Sequence, residues 1–258
     1  VTADTKIGTL LPLGAAPIAD VTLAELASHR TGLSAQGMQR KDSLLFLMRY
    51  LRHRNPFVHD VDGVLTIARK ATLTKRGAFV YSNLGVALLG QGLAAAAQMD
   101  YARLVQDRLF TPLGMTESSL PLTTADLPSD APTGYSAAGI AEAAWAINGW
   151  APAGGVRSTP ADLVRYVQAL LAGSAPGIDA FTTRWQFDKL QIGYAWITQE
   201  YQGHEVTYSN GLTGGFTSKI MLDRAQQRAV IILSNTAAQV DEAAKSLLIG
   251  EHAWIASP

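Results

Sequence analysis

The sequence predicts an α+β fold with an antiparallel sheet. Apolar residues recur at helical spacing through the first two thirds of the chain and at strand spacing after it. From Ile192 onward, short β-rich runs at 194–199, 205–210, 216–222 and 229–233 succeed one another across polar turns such as 223–228, the order of a meander. Helices come first, then strands, then one helix, which fits an antiparallel sheet better than alternating βαβ units. A length of 258 residues suits one large domain or two small interlocked ones. We expect a mainly helical region at 1–190 and a sheet with a C-terminal helix at 191–258, within one interlocked domain.

Each element has a local reason. In residues 20–29, Leu23, Leu26 and Ala27 share one face of a short helix that Gly32 ends. Leu44, Leu45, Leu47, Met48 and Leu51 make a second apolar helix, which stops before Asn55-Pro56 because the residue before proline is pushed out of the α region. Residues 57–78 read as mixed and loop-like. Residues 83–98 read as a buried helix, with Val86, Leu89, Gly90 and Leu93 at helical spacing. Tyr101, Leu104, Val105 and Leu109 repeat the pattern up to Thr111-Pro112, and a Pro/Ser/Thr-rich connection follows to Thr133. Thr159-Pro160-Ala-Asp162 supplies an N-cap, a proline at the first helical position and an early acid. Leu163, Tyr166, Val167, Leu170 and Leu171 then line one face. A last helix at 239–249 can lie across the sheet.

Composition excludes several functions. With 48% hydrophobic and 16% charged residues and a mean hydropathy of +0.10, the chain is a packed globular protein, not a disordered one. Lys+Arg 21 against Asp+Glu 21 leaves no net field to attract nucleic acid, although a local basic patch is compatible with it. Absence of cysteine removes disulfides, thiolate metal sites and cysteine nucleophiles together. The most apolar stretch, 84–97, is shorter than the ~20 residues needed to cross a bilayer. Gly-x-Ser-x-Gly, Gly-x-Gly-x-x-Gly, Walker and His-Glu-x-x-His motifs are all missing. His29, His53, His59, His204 and His252 lack metal-ligand spacing and read as packing or surface residues, and Asp60/Asp62 and Asp241/Glu242 read as solvated or capping acids. No metal or cofactor is expected.

Four strings in order carry more information: Leu26-Ala-Ser28-His29-Arg-Thr-Gly32-Leu33; Tyr81-Ser82-Asn83-Leu-Gly85 with Thr111-Pro-Leu-Gly-Met115; Gly154-Gly155-Val-Arg-Ser158-Thr159; and Ser209-Asn-Gly211-Leu-Thr-Gly-Gly215 with Ser234-Asn235. Together they resemble the serine β-lactamase-like family of class C β-lactamases, D-alanyl-D-alanine carboxypeptidases and related esterases, from about Val21 to Asn235. The resemblance implies a β-lactamase/transpeptidase-like fold, a periplasmic or secreted setting, and hydrolysis of a β-lactam, D-Ala-D-Ala peptide or ester through an acyl-enzyme. Tyr81 and Asn83 match the family's Tyr-x-Asn motif. Tyr81 would move the proton of the serine and the leaving group, and Asn83 would hold the substrate amide. Ser209, Asn210 and Gly211 stand at the family's Lys/His-Thr-Gly strand motif, with the Leu212 N–H at an oxyanion donor.

Two departures matter. Ser209 replaces a cation, so the strand brings no positive charge to a substrate carboxylate or to Tyr81. In addition, none of the seven lysines, Lys6, Lys41, Lys70, Lys75, Lys189, Lys219 and Lys245, has a serine three residues before it; Thr72-Leu-Thr-Lys75 is the nearest formal match. The family's Ser-x-x-Lys motif is therefore absent, and the resemblance places it upstream of Val1. We accordingly expect an N-terminally incomplete fold with exposed apolar surface and an unpaired sheet edge, and a second chain or upstream segment that supplies the nucleophile. A non-catalytic binding module on the same fold is the alternative. Trp145, Trp150, Trp185 and Trp196 are candidates for the rim of the site.

Overall fold

The structure, a computed structural model, describes residues 1–38 and 40–250; of the histidines, His252 lies outside them. Six strands form one antiparallel sheet in chain order: β1 (Trp185–Phe187), β2 (Leu190–Ile192), β3 (Ile197–Tyr201), β4 (His204–Thr213), β5 (Phe216–Asp223) and β6 (Arg228–Ser234). The meander is as expected, and two short strands at its start extend the sheet back to Trp185. β4 and β5 meet at the two-residue turn Gly214-Gly215, where φ is +49° and +81°. Positive φ at both turn residues suits the twist of the hairpin and favours glycine at each. β6 pairs with β5 alone, so its outer edge has no strand partner among the described residues.

The helices are α1 (Leu23–Ala27), α2 (Arg40–Leu51), α3 (Val61–Lys70), α4 (Asn83–Ala96), α5 (Tyr101–Val105), α6 (Thr111–Leu113), α7 (Pro160–Leu171) and α8 (Asp241–Ile249). A single π turn, Gln106–Phe110, joins α5 to α6. Thr22 and Glu25 close a reciprocal capping box on α1, and the Thr159 hydroxyl accepts from the Asp162 N–H to start α7. One face of the sheet packs on α7 through Val167, Leu170 and Leu222, and the other on α8 through Val206, Met221, Ala244 and Leu248. The helical region has its own core around α4, from Ile7 through Leu88 to Trp150. Here Gly90 and Gly92 have a packing role, because a Cβ at either would collide with Pro152 or Ile7.

One expectation needs correction, and one expected helix carries an unexpected exposure. Residues 57–78 are not loop-like, because they contain α3, capped by Asp60, whose carboxylate accepts from the Gly63 N–H at 2.8 Å. Val64, Leu65, Ile67 and Ala68 are buried along it. The helical spacing of Val61, Val64, Leu65 and Ala68 marks it, and the loop-like reading misses that stripe. α2 does form, but its leucines face outward: Phe46 packs inward, edge-on to Phe57 at 5.1 Å, while Leu44, Leu45, Leu47, Met48 and Leu51 are exposed. Helical spacing establishes that a face is apolar; it does not establish that anything covers it.

Candidate active site

The first wall of the site is the start of α4. Ser82 is its N-cap: the hydroxyl accepts from the Gly85 N–H at 3.1 Å and donates to the Ser34 carbonyl at 2.9 Å. The Ser82 N–H in turn donates to Nδ1 of His29 at 3.1 Å. His29 is 6% exposed with φ +56°, and its carbonyl accepts from the Val80 N–H at 2.8 Å. Burial lowers its pKa to about 4, which keeps the ring neutral and Nδ1 free to accept. Tyr81 lies against this imidazole, ring centroids 4.6 Å apart, and its hydroxyl donates to Oδ1 of Asn83 at 3.0 Å. The two predicted residues therefore face the same way from adjacent turns of backbone, on a base pinned by His29.

The second wall is the far half of β4. β3 pairs with β4 only as far as Tyr208, whereas β5 follows it to Thr213. Residues 209–213 thus have one open edge. In an antiparallel hairpin closed by a two-residue turn, the flanking pair Thr213/Phe216 is hydrogen-bonded, and bonded and non-bonded pairs then alternate. Gly211/Ser218 bond across the hairpin, and the N–H and C=O groups of Asn210 and Leu212 turn to the open edge. A Cβ on Gly211 would lie 2.7 Å from the Ser218 hydroxyl, so the absence of a side chain there leaves room for that hydroxyl.

Between the walls lies a cavity of about 730 Å³, a volume suited to a small-molecule ligand. Tyr81, Asn83, Ser209, Asn210, Gly211 and Leu212 all line it. So do Phe46, Tyr50, Phe57, Trp145 and Trp150, which form an apolar side, and Gly154-Gly155 from the third string. Among the described residues, none that lines it is charged. Tyr81 is 53% exposed, yet the protein packed around the phenol still costs the phenolate its hydration and raises the pKa above 10.0, with no cation acting to lower it. Lys219 cannot serve: it points to the opposite face of the sheet, bonded to Asp241 at 2.6 Å and 4.1 Å from the Tyr208 ring. Lys75 lies in a turn packed on Gly32 and does not line the cavity.

Some placements were not readable from sequence. His29 read as a packing residue, and nothing in its local string reveals the bond to Ser82. Of the four tryptophans proposed for the rim, Trp145 and Trp150 line the cavity. Trp185 instead stacks under Arg30, 4.6 Å from its ring, and Trp196 on Phe181 at 4.4 Å. Among the described residues no group of three or more His, Asp or Glu could hold a metal ion, and no helix is long and apolar enough to cross a membrane.

Comparison with known proteins completes the description. A class C beta-lactamase superposes with a TM-score of 0.77 at 18% identity, covering 95% of this chain and 73% of the other. A D-stereospecific amidohydrolase from Streptomyces sp. reaches 0.81 at 19% identity, covering 98% and 80%. At such identities the likeness is one of fold. A human beta-lactamase-like protein is 36% identical over 165 residues, 59% of this chain but only 33% of the relative's length. The Beta-lactamase family model matches residues 1–253. The chain, with its Tyr81/Asn83 wall facing an open strand edge, belongs to the beta-lactamase family.

Proposed function

We propose that the cavity is the acyl-binding half of a serine hydrolase that works through an acyl-enzyme, with the nucleophilic serine and its lysine supplied from outside these 258 residues, by an upstream segment or a second chain. The observation that carries the reading is the convergence of Tyr81, Asn83 and the open edge of 209–213 on one cavity. In the reaction the serine oxygen adds to the acyl carbonyl while its proton passes toward Tyr81, and the developing oxyanion takes the Leu212 N–H. The leaving group departs with that proton. Water then adds to the acyl-serine, releasing the acid and restoring the serine. Tyr81 needs a neighbouring cation to lower its raised pKa before it can accept a proton, and the incoming lysine fills that role.

The walls, uncharged among the described residues, together with Ser209 in place of a cation, favour neutral esters or amides over the carboxylate-bearing β-lactams and D-Ala-D-Ala peptides. Family resemblance supports a periplasmic or secreted setting. A second reading, a non-catalytic binding module, draws support from the missing cation beside Tyr81. Assay of the chain together with its native nucleophile-bearing partner, on neutral nitrophenyl esters and on a penicillin, separates these. Ester hydrolysis faster than penicillin hydrolysis supports the proposal. The reverse preference contradicts the substrate assignment, and saturable binding with no turnover of either establishes the second reading.

A further inference from the structure

Outside the cavity, the most conspicuous unassigned feature is the outer face of α2. Leu44, Leu47, Met48 and Leu51 fall at i, i+3, i+4 and i+7, and with Leu45 they make a patch of five large side chains, each between 41% and 67% exposed. Soluble proteins rarely leave so many apolar side chains together in water, and such patches mark interaction surfaces. The surrounding charge is as uneven as the patch. Residues 40–59 contain five Lys/Arg against one Asp, in a chain that balances overall at 21 against 21. Lys41 lies at one end of the helix and Arg52 and Arg54 just past the other, all three exposed.

We infer that α2 is a membrane-surface element, laid flat on an anionic lipid bilayer with its leucines in the headgroup–acyl boundary and Lys41, Arg52 and Arg54 among the lipid phosphates and carboxylates. A 12-residue helix is about 18 Å long, which sets the cations roughly a helix length apart on either side of an apolar strip. An interfacial helix requires this arrangement, because the apolar face gains by leaving water while the flanking cations stay hydrated at the anionic surface. Other occupants fit less well. Two copies meeting through α2 would bring their basic ends together and repel. A segment that fills the cavity would sit on the Phe46 side, opposite the leucine face. Nucleic acid would match the charge and leave the leucines wet. Since α2 also contributes Phe46 and Tyr50 to the cavity wall, a bilayer on its outer face lies beside the proposed acyl site. The inference does not depend on any catalytic activity.

Flotation of the chain with phosphatidylcholine vesicles, with and without phosphatidylserine, tests this. We expect partitioning onto the serine-containing vesicles, weakened at least tenfold by Leu47→Glu with Leu51→Glu. Lys41→Gln with Arg52→Gln and Arg54→Gln should also weaken it, by about fivefold per cation removed. Leu247→Glu, at an equally exposed leucine on α8, should leave it unchanged. The glutamine variant alters only surface charge, so it remains informative if the glutamate pair lowers stability. Absence of any preference for anionic vesicles, binding indifferent to both α2 variants, or a dimer in light scattering that Leu47→Glu dissociates would each overturn the assignment.

Discussion

The two walls of the cavity are built on opposite plans. The Tyr81 wall is held by side chains: His29 accepts from Ser82, Ser82 donates to Ser34, and Tyr81 rests on the His29 ring. The β4 wall is held by backbone alone, as a strand paired on one side and open on the other. On the first wall Tyr81 and Asn83 match the Tyr-x-Asn pattern, while on the second Ser209 stands where the resemblance would place a cation. The contrast teaches that side-chain packing and a half-paired strand can hold the two walls of one cavity independently, so the proposed alignment of an acyl group and selection of its charge can be varied separately. On the proposed reading this chain has the former and lacks the latter.

Changes at each wall can sharpen or break that contrast. The largest effect should come from Tyr81→Phe. In the complete hydrolase it should lower ester turnover by about 10²–10⁴-fold, since it deletes the proton-transfer group. The melting temperature should hardly move, because the lost hydroxyl bonds only Asn83. Unchanged turnover would remove Tyr81 from the mechanism.

A smaller effect follows from His29. Its folded pKa of about 4 lies below the ordinary 6.5, so between these values the unfolded chain binds the proton and the folded chain does not. Stability should therefore be full above about pH 6.5 and fall as pH drops toward 4, by up to about 3 kcal/mol from this group. Denaturant titrations across that window should show the slope in the native chain and a shallower one in His29→Leu. Equal slopes would mean His29 is solvated. At the β4 wall, Ser209→Lys should tighten binding of carboxylate-bearing ligands about tenfold and leave neutral esters unaffected. No change in the ratio of the two affinities would show that residue 209 does not face the ligand. The smallest shift is expected for Gly211→Ala, in which the new methyl displaces the Ser218 hydroxyl. Stability should fall by about 1 kcal/mol, readable as a change in denaturation midpoint.

How much of this was legible depended on how local each signal is. Tyr81 and Asn83 adjoin in sequence at a helix start, and Ser209 to Leu212 form one continuous strand, so both motifs could be found without a structure. Their meeting at one cavity is a tertiary fact that spacing does not carry, and the same holds for His29, whose partner Ser82 is distant along the chain. The leucines of α2 and α4 gave the same periodic signal and met opposite fates. α4 has Gly90 and Gly92, which let Pro152 and Ile7 close over it, whereas α2 is flanked by cations and its outer face remains open. α3 was legible as well, because Val61, Val64, Leu65 and Ala68 stand at i, i+3, i+4 and i+7 behind the Asp60 cap, and a mixed reading of 57–78 passes over that stripe.

The central claim, that an acyl-binding half-site awaits a nucleophile from elsewhere, is tested most directly by intact-mass spectrometry after incubation with a fluorophosphonate. The 258-residue chain of 27.5 kDa should stay unmodified, and the adduct should appear on a serine outside it once the native partner or upstream segment is present. An adduct on a serine of the isolated chain would contradict the account.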